Sequence, residues 1–457
     1  MTRRLVFIAA FLALQLPAVA QEPSLPAGSG QAPPLQVPYR LFTLKNGLTV
    51  ILHQDRSVPV VGVNLWYHVG SANERPGRTG FAHLFEHLMF EGSKHVKEGE
   101  FDTLLEAAGA DNNGSTENDR TNYIIDVPAN ALELALFLES DRMGYLLDTM
   151  SPARVDGQRD VVKNERRQSY ENRPYGMAFL ELSQLLFPPQ HPYSWPTIGY
   201  MEDLTAASYE DVVAFFKKYY TPNNASLVIA GDIDLEAAQK LVEKWFSEIQ
   251  PGETVPPLPP QPAYLSEVKR KTLTDEVQLP RLHLAWLTPP AYSPADAALD
   301  VVSSILAGGK NSRLYKRLVY DTQIAQDVAA FQESQNLASM FLVMATARPG
   351  HTAEEMQKAI DEELDRLRRE PPDAREVQRA LNEIEASFYR QMERVGGFNG
   401  KANQLNAYYV AGGDPDFFAE DLARYKALTA SDVQAALRKW LPADRRVELT
   451  VVPEAKK

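Results

Sequence analysis

The pattern of apolar and polar positions changes character several times along the chain, and each change marks an element. Leu41-Phe42-Thr43-Leu44 runs into Lys45-Asn46-Gly47 and then Leu48-Thr49-Val50-Ile51-Leu52, which reads as strand, Asn-Gly turn and strand. Residues 60–69 alternate and predict a further strand, and residues 77–80 read as loop. A short apolar helix is predicted over 81–90 and another helix over 98–108. Asn- and Ser-rich turn chemistry follows, and then a strand over 122–127. Helical periodicity covers 129–147 and 151–170.

Six prolines fall between Pro251 and Pro262, the composition of a stiff, extended linker and of a domain boundary. The stretches on either side of it are related. Leu204-Thr205 leads through a helix to Lys217-Lys218-Tyr219-Tyr220, then Thr221-Pro222, then the strand Ser226-Leu227-Val228-Ile229-Ala230. Leu428-Thr429 leads in the same order through a helix to Arg438-Lys439-Trp440, then Leu441-Pro442, then a strand over 447–452. A half-chain repeat implies an internal duplication, so the expected fold is α+β with two homologous domains, over 39–250 and 264–453, joined by a linker over 251–263.

Composition narrows the function. A net charge of −13 and a pI near 5.2 argue against nucleic acid, whose binders carry basic faces. Arg3 and Arg4, the apolar run from Leu5 to Leu16 and Ala18-Val19-Ala20 predict a signal peptide over 1–20 and a periplasmic destination. Residues 21–38, rich in Pro, Gly, Ser and Gln, read as an unstructured leader. That apolar run is too short for a membrane span, and no later stretch of about 20 apolar residues occurs. There is no cysteine, so any metal must be held by histidines and carboxylates.

Such a set lies in the predicted helix over 81–90. His83-Leu84-Phe85-Glu86-His87 reads H-x-x-E-H, the inverted form of the zinc-protease signature. At about 100° per residue, His83, Glu86 and His87 leave one face of a helix within an arc of about 100°. Two imidazoles one turn apart can hold zinc, and a carboxylate beside them can take a proton from a water that the metal activates. A catalytic zinc needs a third protein ligand. Glu165, on the predicted helix over 151–170, lies 78 positions after His87.

H-x-x-E-H followed after this interval by a glutamate resembles the pitrilysin, or insulinase-like, M16 zinc metallopeptidases, and the resemblance spans residues 39–453. It implies one Zn²⁺ per chain held by His83, His87 and Glu165, with Glu86 as the catalytic base, and two domains that are each a mostly antiparallel sheet packed with helices. The stretch from Gly109 to Tyr123 resembles the family's substrate-binding sheet edge, which implies that Asn113 and Gly114 take a peptide as an added strand. Pro174-Tyr175-Gly176 and the glycine pair Gly308-Gly309 fit the same pattern.

Two departures from the family pattern matter. A second acid, seven residues before the ligand glutamate, is Gln158 here. In the second domain, Val319 and Gln326 stand where active members carry an Arg and a Tyr that grip the substrate. Some members split these functions between subunits. The expectation is therefore a zinc endopeptidase for peptides or unfolded segments, acting as the zinc-bearing half of a heterodimer, with a homodimer possible. Plainer readings stay open: two core histidines, a Glu165 paired with its basic neighbours, turn residues at Asn113 and Gly114, and a non-catalytic scaffold subunit. His53, His68, His95, His191, His283 and His351 have no ligand spacing and read as structural or exposed.

Overall fold

Strand pairing in the computed structural model divides the chain into two sheets of one plan. Residues 35–454 are described, so the signal peptide expected over 1–20 and most of the expected leader lie outside the described residues. Strands β1 (Arg40–Thr43), β2 (Thr49–Gln54), β3 (Val60–Tyr67), β4 (Asp111–Thr116), β5 (Thr121–Pro128) and β6 (Ala225–Gly231) pair in the order β1-β2-β6-β3-β5-β4. Strands β7 (Lys269–Asp275), β8 (Arg281–Thr288), β9 (Ala325–Glu333), β10 (Ser339–Ala347) and β11 (Val447–Pro453) pair in the order β7-β11-β8-β10-β9. Without β1 the two orders are the same. Directions agree as well: β6 runs parallel to β2 and antiparallel to β3, as β11 runs parallel to β7 and antiparallel to β8. The fold is α+β, and it is duplicated.

Strands β2, β6 and β8 read as continuous apolar runs because both faces of each sheet are covered. One face packs on helices of its own half, and the other receives a helix from the opposite half. The helix Met177–Leu186 lies on β8 and β11, where Ala178, Leu182 and Leu186 join Ala285, Leu342 and Leu449 in an apolar layer. The helix Lys401–Gly412 lies on β2, β3 and β6 through polar contacts. Buried Asn406 donates to Asn64 Oδ1 at 2.9 Å and to the Ser226 carbonyl at 3.1 Å, and Asn403 Oδ1 accepts from Trp66 Nε1 at 3.0 Å. A buried amide left without these partners costs about 1–3 kcal/mol, so the polar face specifies one docking position.

Between the sheets, residues 251–263 have no regular structure. Gly252, Val255, Leu258 and Gln261 are partly buried while the prolines face outward. That burial period of three matches an extended polyproline helix laid along the surface.

Three sequence expectations differ from the structure. The Asn- and Ser-rich residues after Ala108 form strand β4 and not a turn. Their polarity hides the strand because β4 is an edge, paired only with β5. The helix expected over 151–170 is α-helical over Pro152–Arg166 and then widens into a π turn over Arg167–Glu171. At the end of the expected leader, Val37 is buried and its N–H donates to Asp416 Oδ1 at 2.9 Å.

His283 on β8 is fully buried beneath Phe179 of the helix Met177–Leu186, with neither ring nitrogen partnered. Burial pushes its pKa down to about 4. The unfolded chain, with an ordinary value of about 6.5, therefore binds the proton first. Stability is full above that value and is lost as pH falls towards 4. The expected loss at pH 5 is about 2 kcal/mol from this residue. Urea unfolding of wild type and His283→Leu at pH 7 and pH 5 checks it, and an unchanged difference between the two pH values refutes it.

Candidate metal and catalytic site

The motif helix spans Phe81–Leu88 and splits its residues by face. Phe81, Leu84, Phe85 and Leu88 recur at helical spacing and are buried in the first core. Phe85 packs on Phe215, Phe216 and Tyr220, with ring centroids 4.9–5.7 Å apart. This anchoring turns His83, Glu86 and His87 away from the core, towards β4 and the helix Pro152–Arg166. That second helix is started by Ser151, whose hydroxyl accepts the Arg154 N–H at 3.3 Å, and is seated by buried Val155 and Val162. Glu165 is its penultimate residue.

The two helices bring three donors together. Glu165 Oε2 lies 3.2 Å from His87 Nε2 and 3.6 Å from His83 Nε2. One ligand atom from each residue lies within 4.8 Å of the others, and among the described residues this is the single such group of three or more histidines and carboxylates. Zinc bonds of about 2.0–2.1 Å in tetrahedral array place neighbouring donors about 3.3 Å apart, so the spacing suits a zinc ion. The electrostatics agree. Burial pushes His83 down to about 4, leaving it in the neutral form that ligates. The His87 hydrogen bond holds the Glu165 carboxyl below its usual range. His83 Nδ1 is buried with no partner.

Glu86 stands beside this group and outside it. Burial raises its pKa, while the Thr116 hydroxyl and nearby His87 pull the other way. Its neighbour across the gap is Gly114 of β4, where an added Cβ would lie 2.9 Å from Glu86 Cγ. Only a glycine lets the edge strand come this close to the carboxylate. Asn113 is also on β4, and its side-chain oxygen accepts the Gly114 N–H at 2.8 Å. The edge of β4 away from β5 has no strand partner among the described residues.

The other sequence candidates separate. Gln158 Nε2 donates to Glu91 Oε1 at 2.5 Å, so a carboxylate does stand at that position, supplied by the residue four after His87. Sequence reasoning passed over Glu91, and also Thr116, whose strand was read as a turn. Val319 is buried in the second core, and Gln326, exposed at the start of β9, donates to Asp327 at 3.2 Å. Neither residue offers a cation or a phenol.

Comparison with known proteins matches the chain to a family. The profile described as Insulinase (Peptidase family M16) matches residues 49–186, and the profile described as Peptidase M16 inactive domain matches residues 206–384. A zinc protease of Helicobacter pylori, PqqE, is 31% identical over 399 residues, which cover 86% of this chain and 87% of that one. A probable β subunit of the mitochondrial-processing peptidase of Arabidopsis thaliana is 25% identical, covering 88% of this chain and 76% of its own. The crystal structure of a protease from Helicobacter pylori superposes with a TM-score of 0.86 at 28% identity, over 92% of this chain and all of that one. The periplasmic protease PqqL of Escherichia coli shares the fold at a TM-score of 0.75 and 18% identity, and 91% of this chain covers 47% of it. With both profiles and a relative above 30% identity running through its length, the chain belongs to the M16, or insulinase, family of peptidases.

Proposed function

We propose that this protein is an exported, periplasmic zinc endopeptidase that hydrolyses peptides or unfolded segments, working as the zinc-bearing subunit of a heterodimer. The observation that carries the reading is the convergence of His83, His87 and Glu165, with Glu86 beside them and free of the donor set. When bound there, zinc supplies a Lewis acid that polarises a peptide carbonyl and acidifies water. Glu86, with its raised pKa, takes the proton of the attacking water and hands it to the leaving amine. The open edge of β4 takes the substrate as an added strand, so backbone hydrogen bonds at Asn113 and Gly114 hold it without demanding a side-chain sequence. Bare Gly114 then leaves the substrate backbone within reach of Glu86.

Export rests on Arg3, Arg4 and Ala18-Val19-Ala20, and it suits a fold shared with a periplasmic protease. Among the described residues no helix is long and apolar enough to cross a membrane.

The heterodimer rests on Val319 and Gln326, which provide no grip for a substrate. The rival reading, a non-catalytic scaffold, draws on the inactive-domain match over 206–384. His83, Glu86, His87 and Glu165 all lie in the other match, over 49–186. Alone, the purified chain is expected to hold about one zinc yet cleave an unfolded peptide slowly. Adding a companion chain that lacks H-x-x-E-H but carries the Arg and Tyr is expected to raise the rate tenfold or more. Equal rates with and without the companion would eliminate the heterodimer, and absence of zinc would favour the scaffold.

A further inference from the structure

The motif helix has no cap of its own. The residue before it, Gly80, carries no side chain that could cap it, and the first turn contains no acid. An eight-residue helix is marginal alone, and its first four N–H groups need partners from elsewhere. Glu74 supplies them from the preceding loop. One carboxylate oxygen accepts the Gly80 N–H at 2.9 Å and the other accepts the Ala82 N–H at 2.8 Å. The two oxygens thus bracket the first turn, next to His83 in sequence, and occupy two of its otherwise unpaired N–H groups.

The same junction reaches the helix that carries Glu165. Gly80 has φ +85°, and a Cβ on it would lie 2.9 Å from the Gly199 Cα. Gly199 has φ +78°, and a Cβ on it would lie 2.5 Å from the Gly80 Cα. Two backbones therefore touch where neither residue has room for a methyl group. The Gly199 carbonyl accepts from Arg166 Nη1 at 2.5 Å, and Arg166 is the immediate neighbour of Glu165. Thr79 closes the junction: its N–H and hydroxyl donate to Asp203 Oδ2 at 3.1 and 2.7 Å, and its hydroxyl accepts the Tyr200 N–H at 2.9 Å. A continuous path runs from Glu74 through Gly80 and Gly199 to Arg166, joining the two helices whose side chains meet in the donor cluster.

We infer that Glu74 is a positioning residue for the metal site: by gripping the first turn of the motif helix it fixes the height and rotation at which His83 and His87 meet Glu165. The inference rests on the zinc-site reading above. Donor groups must be held to within about 0.5 Å to ligate well, and His83, only one residue beyond Ala82, moves directly with that turn. Glu74→Gln places an amide NH₂ against one of the two backbone N–H groups, so the grip is half lost while the side-chain volume is kept.

The test compares zinc affinity with stability. Wild type, Glu74→Gln and Asn46→Ala are stripped of metal, their melting temperatures are measured, and their zinc dissociation constants are read by competition with a chromophoric chelator. Asn46 is the control: it is buried in the same domain, where it donates to the Phe246 and Ile249 carbonyls at 2.8 and 2.9 Å, away from the motif helix. Glu74→Gln is expected to weaken zinc binding about ten- to a hundredfold, the range for groups that orient metal ligands from outside the donor set. Asn46→Ala is expected to melt earlier and to bind zinc as wild type does. Wild-type affinity in Glu74→Gln, or equal weakening in Asn46→Ala, overturns the positioning role and leaves the zinc site standing. A wild-type chain that binds no zinc overturns both. Should Glu74→Gln not fold, Glu74→Asp, which keeps the carboxyl group but is too short to span both amides, is read in the same way.

Discussion

Glu86→Gln is expected to leave the fold and the zinc content unchanged and to lower peptide hydrolysis by about 10²- to 10⁴-fold, the contribution of one well-placed proton acceptor. The substitution is close to isosteric, which matters because Gly114 leaves no slack at the Glu86 Cγ. An amide oxygen can still accept from Thr116, so the local packing survives. What is lost is basicity at a carboxylate that stands beside the donor cluster without belonging to it. Turnover of an unfolded fluorogenic peptide, measured together with metal content, checks the result. Full activity with full zinc would remove Glu86 from the chemistry.

Glu165→Gln is expected to do the reverse, releasing zinc while leaving the apo fold intact. Glu165 is the only anion among the three donors, and its hydrogen bond with His87 holds its carboxyl in the charged form. A neutral amide in its place is a much weaker ligand. Loss of a direct ligand should exceed the ten- to hundredfold effect of groups outside the donor set, so the dissociation constant is expected to rise by more than about 100-fold. Half-exposed Glu165 stands near the end of its helix, so circular dichroism and the melting temperature of the metal-free protein should change little. Zinc that survives dialysis against a chelator would exclude Glu165 as a ligand.

Much of this was legible in the sequence because it was local or periodic. The spacing of Phe81, Leu84, Phe85 and Leu88 fixes which stripe of the motif helix is buried, and so which stripe carries His83, Glu86 and His87. The repeat around Leu204 and Leu428 announced two sheets whose strand orders agree. Strand β4 was not legible in the local pattern, and only the family resemblance implied a sheet edge there. Asp111 to Thr116 contains no large apolar residue, since an edge strand set against Glu86 has no core to fill, and its pairing with β5 is a tertiary fact. Nor does any local pattern show that Glu91 stands beside Gln158, or that Glu74 caps a helix beginning seven residues later.

By itself, then, the sequence determined the class of chemistry: without cysteine, a metal would need histidines and carboxylates, and helical periodicity put two imidazoles and a base on one face. Tertiary structure decided the rest. Only packing between helices 78 positions apart brings Glu165 Oε2 to 3.2 Å from His87, with the Gly80–Gly199 backbone contact lying beside them. Only sheet order makes β4 an edge beside Glu86. The physical reason is that face and period follow from backbone geometry within one element, whereas distances between elements depend on which side chains, or missing side chains, lie between them.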